Sequence, residues 1–269
     1  MKPIVAAVDG SQQANQAVAW AADHAMRSAR PLHLVHCQSG DSDEGDRLLV
    51  AAAALAGRDR PGLVVTTELS ADPPMMALTA RADRAAEIVL GHGPTGRRLA
   101  GMIPCPVVVV AAGATERGTV VVAIDGYDVC APALNFACRN AEVRGSRLLA
   151  VEVRMVPAKL RAPALAPLTA RVVADATGQL SGIVAPWRAE FPGLEVAERI
   201  VLGDPATTLV ALSDQADLIV LGSRGLNRLQ SALHGSVSRR VLRRARCPIA
   251  VVPRAREYDG TCPCVAEGR

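Results

Sequence analysis

The sequence predicts an α/β protein made of two tandem domains, each a doubly wound parallel sheet of five strands, and three observations carry that prediction. The chain repeats itself, each copy alternates short apolar runs with amphipathic stretches, and hydrophobic residues make up 50% of its 269 residues while aromatics make up only 2%. A core of Ala, Val and Leu is the usual filling of parallel strands covered by helices on both faces. The repeat sets the domain count. IVAAVDGSQQANQAVAWAADHA from Ile4 realigns with VVVAIDGYDVCAPALNFACRNA at a shift of 116, pairing Asp9 with Asp125, Gly10 with Gly126 and Trp20 with Phe136. A second block aligns at 131 (Pro74 with Pro205, Gly91 with Gly222) and a third at 142 (Arg97-Arg98 with Arg239-Arg240, Cys105-Pro106 with Cys247-Pro248). Copy two therefore gains 15 residues between Val153 and Arg188, and copy one lacks 11 between Gly91 and Arg97.

Within copy one the strands are expected at 4–8, 32–36, 63–67, 88–90 and 107–110, with helices in the gaps. Ala14, Ala17, Val18, Ala21 and Ala25 recur at spacings of three and four, which places one apolar stripe on the first helix. Copy two follows the same order. Its last run, 248–252, and the matching 106–110 are nearly continuous apolar segments; an unpaired edge of that kind invites another strand, so the two are expected side by side. The expected boundaries are a domain at 1–112, a second at 117–253 and a tail at 254–269.

Several function classes are excluded or disfavoured. The apolar run 4–8 is too short for a signal-peptide core, and the longest uncharged stretch, 99–115, is broken by Pro104 and Pro106 and falls short of the ~20 residues of a membrane span. A cytoplasmic protein with no membrane partner is expected. Seven cysteines suit reduced thiols better than a disulfide framework, and Cys262-Pro263-Cys264 has no second pair or nearby histidine to complete a metal site. Residues 1–112 carry 10 Lys/Arg against 11 Asp/Glu, whereas 113–269 carry 20 against 15. Arg239, Arg240, Arg243, Arg244 and Arg246 read as a solvated helix face, because the aromatics needed to stack bases are missing and no nucleic-acid motif accompanies them.

The positive half also holds the chain's most informative pattern, LGSRGLNRLQSALHGSVS from Leu221. It follows an apolar run and precedes a helical stretch, so glycine-loop amides and a helix N-terminus converge at a strand's carboxyl end. Glycine permits close backbone approach, free amides donate to anionic oxygens, and the helix dipole favours negative charge. That combination suits phosphate. In an open parallel sheet, ligands bind beyond such carboxyl ends at the topological switch point, where Asp125 also falls.

Together, the VDG and IDG openings, the five-strand rhythm, the Cys-Pro-plus-valine closing strands and this loop resemble a tandem member of the universal stress protein family over nearly all of 3–253. The resemblance implies strand order 3-2-1-4-5 in each domain, ATP as ligand, alone or with Mg2+, and pairing of domains as a pseudo-dimer, with homodimers also open. Carried over to copy two, it implies an ATP site made of Asp125 beside the adenosine, the Val151 backbone against adenine, Leu221, Gly222, Arg224 and Gly225 in the first part of the loop, and Gly235, Ser236, Val237 and Ser238 at its phosphate end. Tyr127 stands where copy one has Ser11, and its ring would crowd the ribose or stack near the base.

Copy one retains Asp9 but lacks the loop. Its Gly91-His92-Gly93-Pro94-Thr95-Gly96 has the spacing of a dinucleotide fingerprint, yet Pro94 removes a needed amide and the preceding strand is the fourth rather than the first. There is no GxxxxGK[ST], HExxH or GxSxG, and no side chain can be assigned as general base, His234 included. The expected function is an ATP-binding stress or signalling module with one nucleotide site, in the second domain, read by a protein partner. A slow ATPase or nucleotide-dependent transferase, and a non-binding scaffold, are the alternatives.

Overall fold

The computed structural model describes residues 1–38, 42–111, 116–125, 127–155, 166–223 and 236–254. The chain divides into two units. The first contains the N-terminal repeat: β1 (Ile4–Val8), α1 (Gln12–Arg27), β2 (Leu32–Cys37), α2 (Ser42–Gly57), β3 (Val65–Ser70), α3 (Pro74–Arg81), β4 (Glu87–Gly91), α4 (Pro94–Leu99) and β5 (Val107–Val110). Its strands lie in the order β3-β2-β1-β4-β5, each pair parallel, as the resemblance implies. The alanine–valine stripe of α1 is buried, and Ser11 caps that helix by accepting from the Ala14 amide at 3.1 Å. The third strand begins two residues later than expected. Leu63 still donates to the Arg60 carbonyl and Gly62 has φ +90°, so a turn occupies the first residues of that apolar run.

The edge strand β3 is half-exposed and is covered by charge. Arg81 from α3 bonds both carboxylate oxygens of Glu68, and the His33 Nε2 lies 2.9 Å from Glu68 Oε2. The Arg81 bond holds the Glu68 carboxyl below its usual value; burial opposes it, and the His33 bond adds a smaller lowering. Inside the same unit, His24 of α1 and Glu87 of β4 form a buried pair at 3.3 Å, with the Trp20 ring 5.2 Å from the His24 ring. Burial, reinforced by Glu87, pushes the Cys105 thiol up to about 12; burial does the same to Cys138 in the second repeat. Both are packing residues with no thiolate at neutral pH.

The second unit contains β6 (Thr119–Ile124), α5 (Tyr127–Arg144), β7 (Arg147–Arg154), α6 (Ala166–Glu190), β8 (Val196–Leu202), α7 (Pro205–Leu212), β9 (Leu218–Gly222) and α8 (Ser236–Arg244). Its strands run β8-β7-β6-β9, again parallel throughout. The repeat extends to individual bonds: Ala86 donates to the Pro3 carbonyl at 2.8 Å, and at the equivalent positions Asp217 donates to Thr119 at 2.8 Å. The last strand of the sequence repeat, β10 (Ile249–Val252), groups with the first unit, whereas the sequence boundary at 117–253 kept it with its own copy. There it runs antiparallel to β5, Ile249 opposite Val109 and Val251 opposite Val107. Four buried valines make β5 an edge that water cannot serve, and β10 supplies its missing ladder. Among the described residues, no helix is long and apolar enough to cross a membrane.

One carboxylate organises the amino ends of the second unit's strands. Asp217, just before β9, is 5% exposed. It accepts from the amides of Arg117, Gly118 (3.2 Å) and Thr119 (2.9 Å) ahead of and within β6, and from the Ser146 hydroxyl (2.8 Å) ahead of β7. The first repeat has Ala86 here and uses backbone alone. Asp217→Ala strands several buried donors at once and is expected to cost about 2–4 kcal/mol in urea unfolding, with Asp217→Asn losing less because it keeps one acceptor oxygen.

Candidate functional site

In the second unit, Val151 of β7, Ala123 of β6 and Leu221 of β9 stand in one register row across three neighbouring strands. At strand spacings of about 4.8 Å that row is about 10 Å wide. Asp125 lies two residues beyond Ala123 and is exposed, and Gly222 and Ser223 follow Leu221, so all three leave the sheet at the same end. The fold thus places Asp125, Val151, Leu221 and Gly222 at one end of the sheet. Val151 is fully buried, so any contact it makes with a ligand is through its backbone. Arg224, Gly225 and Gly235 lie outside the described residues, as does the side chain of Ser236.

The helix that follows, α8, opens at Ser236 with Val237 and Ser238 half-buried in its first turn, no acidic residue there, and Arg243 and Arg244 in its last turn. Charge and dipole therefore agree in making the amino end of this helix attractive to an anion. It is also fastened to its neighbour. Arg240 reaches Asp204 Oδ1 at 3.0 Å and the Thr207 hydroxyl at 3.3 Å, while Asp204 caps α7 by accepting from the Thr207 amide at 2.9 Å. The Thr207 hydroxyl and amide, and then Arg240, hold the Asp204 carboxyl below its ordinary value.

Sequence reasoning missed three contributors. The Ser223 hydroxyl oxygen is buried and has no hydrogen-bond partner among the described residues, directly after Gly222. Arg154 ends β7, two residues past the level where β6 stops, and is held by Glu152 at 2.7 Å and Gln179 at 3.0 Å. Asp204 and Arg240 are 36 residues apart, and no local pattern signals such a pair.

The equivalent end of the first unit is built differently. Asp9 turns back to accept from the Ser11 amide at 2.9 Å, and His36 donates from Nδ1 to the Val8 carbonyl at 2.7 Å. Leu48 of α2 lies over Gly10, with its Cδ2 2.8 Å from where a Cβ would stand. Only His92 and Gly93 separate β4 from α4; the His92 amide is taken by the Val110 carbonyl at 3.0 Å and Pro94 has none to offer. The fingerprint-like glycines here serve packing: a Cβ on Gly91 would lie 2.6 Å from the Gln13 carbonyl carbon.

The universal stress protein family model matches residues 1–111 and again 116–253. This chain belongs to that family. It is 32% identical to the universal stress protein Rv2005c of Mycobacterium tuberculosis strain H37Rv, over 92% of this chain and 96% of that one. A universal stress protein of Mycolicibacterium smegmatis is 28% identical over 93% and 96% of the two chains. Among solved structures, a universal stress protein from Archaeoglobus fulgidus superposes with a TM-score of 0.67 at 16% identity, covering 94% of this chain and 96% of its own, a likeness of fold.

Gly91→Ala places a methyl against the backbone of Gln13 and Ala14, and the first turn of α1 must move. The change is expected to lower stability by about 1–3 kcal/mol, whereas Gly93→Ala, whose Cβ would have nothing nearer than 3.8 Å, leaves it nearly unchanged. Thermal denaturation of the two variants checks this.

Proposed function

We propose that the second repeat binds ATP and that the chain works as a nucleotide-dependent stress or signalling module, in which ATP favours one conformation that a protein partner recognises. One observation carries the reading: 13 residues separate β9 from α8, and only two separate β4 from α4. A polyphosphate leaving water needs donors in return, and partial compensation gives little affinity. The long connection contains Gly225 and Gly235 and leads to Ser236 at a positive helix end, and Asp125 lies at the same end of the sheet for the sugar or base. The first repeat, with the His92 amide bonded, no amide at Pro94 and Leu48 over Gly10, has less to offer. Binding of one adenine nucleotide per chain follows, and coupling to a partner then requires only that ATP prefer one of two states.

Mg2+ enters this reading as a companion of the phosphates. No described side chain stands out as a general base, so the chemistry favoured is binding without turnover, and single-turnover assays with and without divalent metal should return intact ATP.

Calorimetric titration of the full chain is expected to give one ATP per polypeptide; a stoichiometry of two contradicts the assignment to a single repeat. Gly225→Val and Gly235→Val should abolish binding with the melting temperature retained, since either side chain intrudes where the backbone approaches phosphate. Ser236→Ala should weaken binding by about 1 kcal/mol, the loss of one hydrogen bond.

A further inference from the structure

Among the described residues, the ion-pair cluster joining α7 to α8 has no counterpart in the first repeat. Arg240 is one helical turn from Ser236, and its guanidinium meets both Asp204 oxygens, at 3.0 and 3.2 Å, and the Thr207 hydroxyl. Asp204 is fixed in turn, because it caps α7 and also accepts from the Thr207 hydroxyl at 2.6 Å. At the matching places the first repeat has Arg98 and, in place of Asp204, Pro73, a helix cap with no side-chain bond. The repeat with the long loop has the tether; the repeat with the short connection cannot build it.

We propose that Arg240 is a positioning residue for the phosphate end of the nucleotide site, acting through Asp204 and Thr207 to hold the first turn of α8 at the height and rotation where its amides meet phosphate. This inference rests on the nucleotide reading above. Its physical basis is leverage. Side-chain contacts with α7 orient the helix, and a guanidinium that gives Nη1 to Asp204 and Nη2 to the Thr207 hydroxyl fixes direction as well as distance. Amide donors stabilise an anion only when they are aimed before it arrives. Exposed pairs contribute little to global stability, so the effect belongs to the site and not to the fold.

The test compares Arg240→Ala, Asp204→Asn, Arg240→Lys and Arg239→Ala in the full chain, titrated with ATP and with adenosine, alongside hydrogen exchange without nucleotide. Asn keeps the α7 cap while removing the charge. Arg239→Ala removes an equal charge from the neighbouring position. Arg240→Ala and Asp204→Asn are expected to weaken ATP roughly fivefold, the scale of one such pair, with adenosine affinity and melting temperature unchanged. Arg240→Lys should recover part of the loss, and amide exchange at 237–240 should quicken in the first two variants only. Equal losses for ATP and adenosine, an Arg239→Ala loss matching that of Arg240→Ala, or unaltered exchange would each overturn the tether. Failure of the unaltered chain to bind ATP overturns the nucleotide reading itself, while binding that Arg240→Ala leaves intact overturns the tether alone.

Discussion

What a parallel sheet can offer a ligand depends on the amides left over where its strands end and the next helices begin. In the first unit β4 passes into α4 through His92 and Gly93, where His92 donates to Val110, Pro94 has no amide, and Arg97 donates to Gly93 at 3.3 Å. In the second, the same strand-to-helix step takes 13 residues, more than a connection needs. The strands beneath are equivalent in order and register, so this length is a difference between the repeats that lies outside the sheet.

The rest of the fold serves to keep that junction steady. Asp217 clamps the amino ends of β6, β7 and β9, which fixes their register and so the row that delivers Asp125, Val151 and Leu221 to one end. The α7–α8 pair holds the helix on the far side of the loop. The first repeat has different polar contacts: a buried His24–Glu87 pair stands where the second has Asn140, bonded to the Phe136 carbonyl at 2.9 Å, and Leu218. A buried ion pair is costly to break from one side.

Most strands and the first helix were legible in the sequence, because apolar periodicity and the repeat register are local properties. The start of β3 was not: Leu63 is apolar like a strand residue, but Gly62 holds a turn there. The pairing of β10 with β5 was legible, since two nearly continuous apolar edge runs invite each other. At the site, Asp125 and Gly222 were legible because strand ends concentrate them. Asp217, Ser223 and the Asp204–Arg240 pair were not, since a carboxylate's value there depends on partners tens of residues away.

The central claim is that one repeat recognises nucleotide while the other has closed the same place with its own atoms. Photoaffinity labelling of the full chain with 8-azido-ATP, competed by unlabelled ATP and mapped by peptide mass spectrometry, tests it most directly. The account predicts competed adducts confined to peptides within 116–253, from the Asp125 segment and the strand–loop–helix that follows Leu218. Competed labelling of the 1–111 peptides around Asp9, His36 or His92 would contradict it.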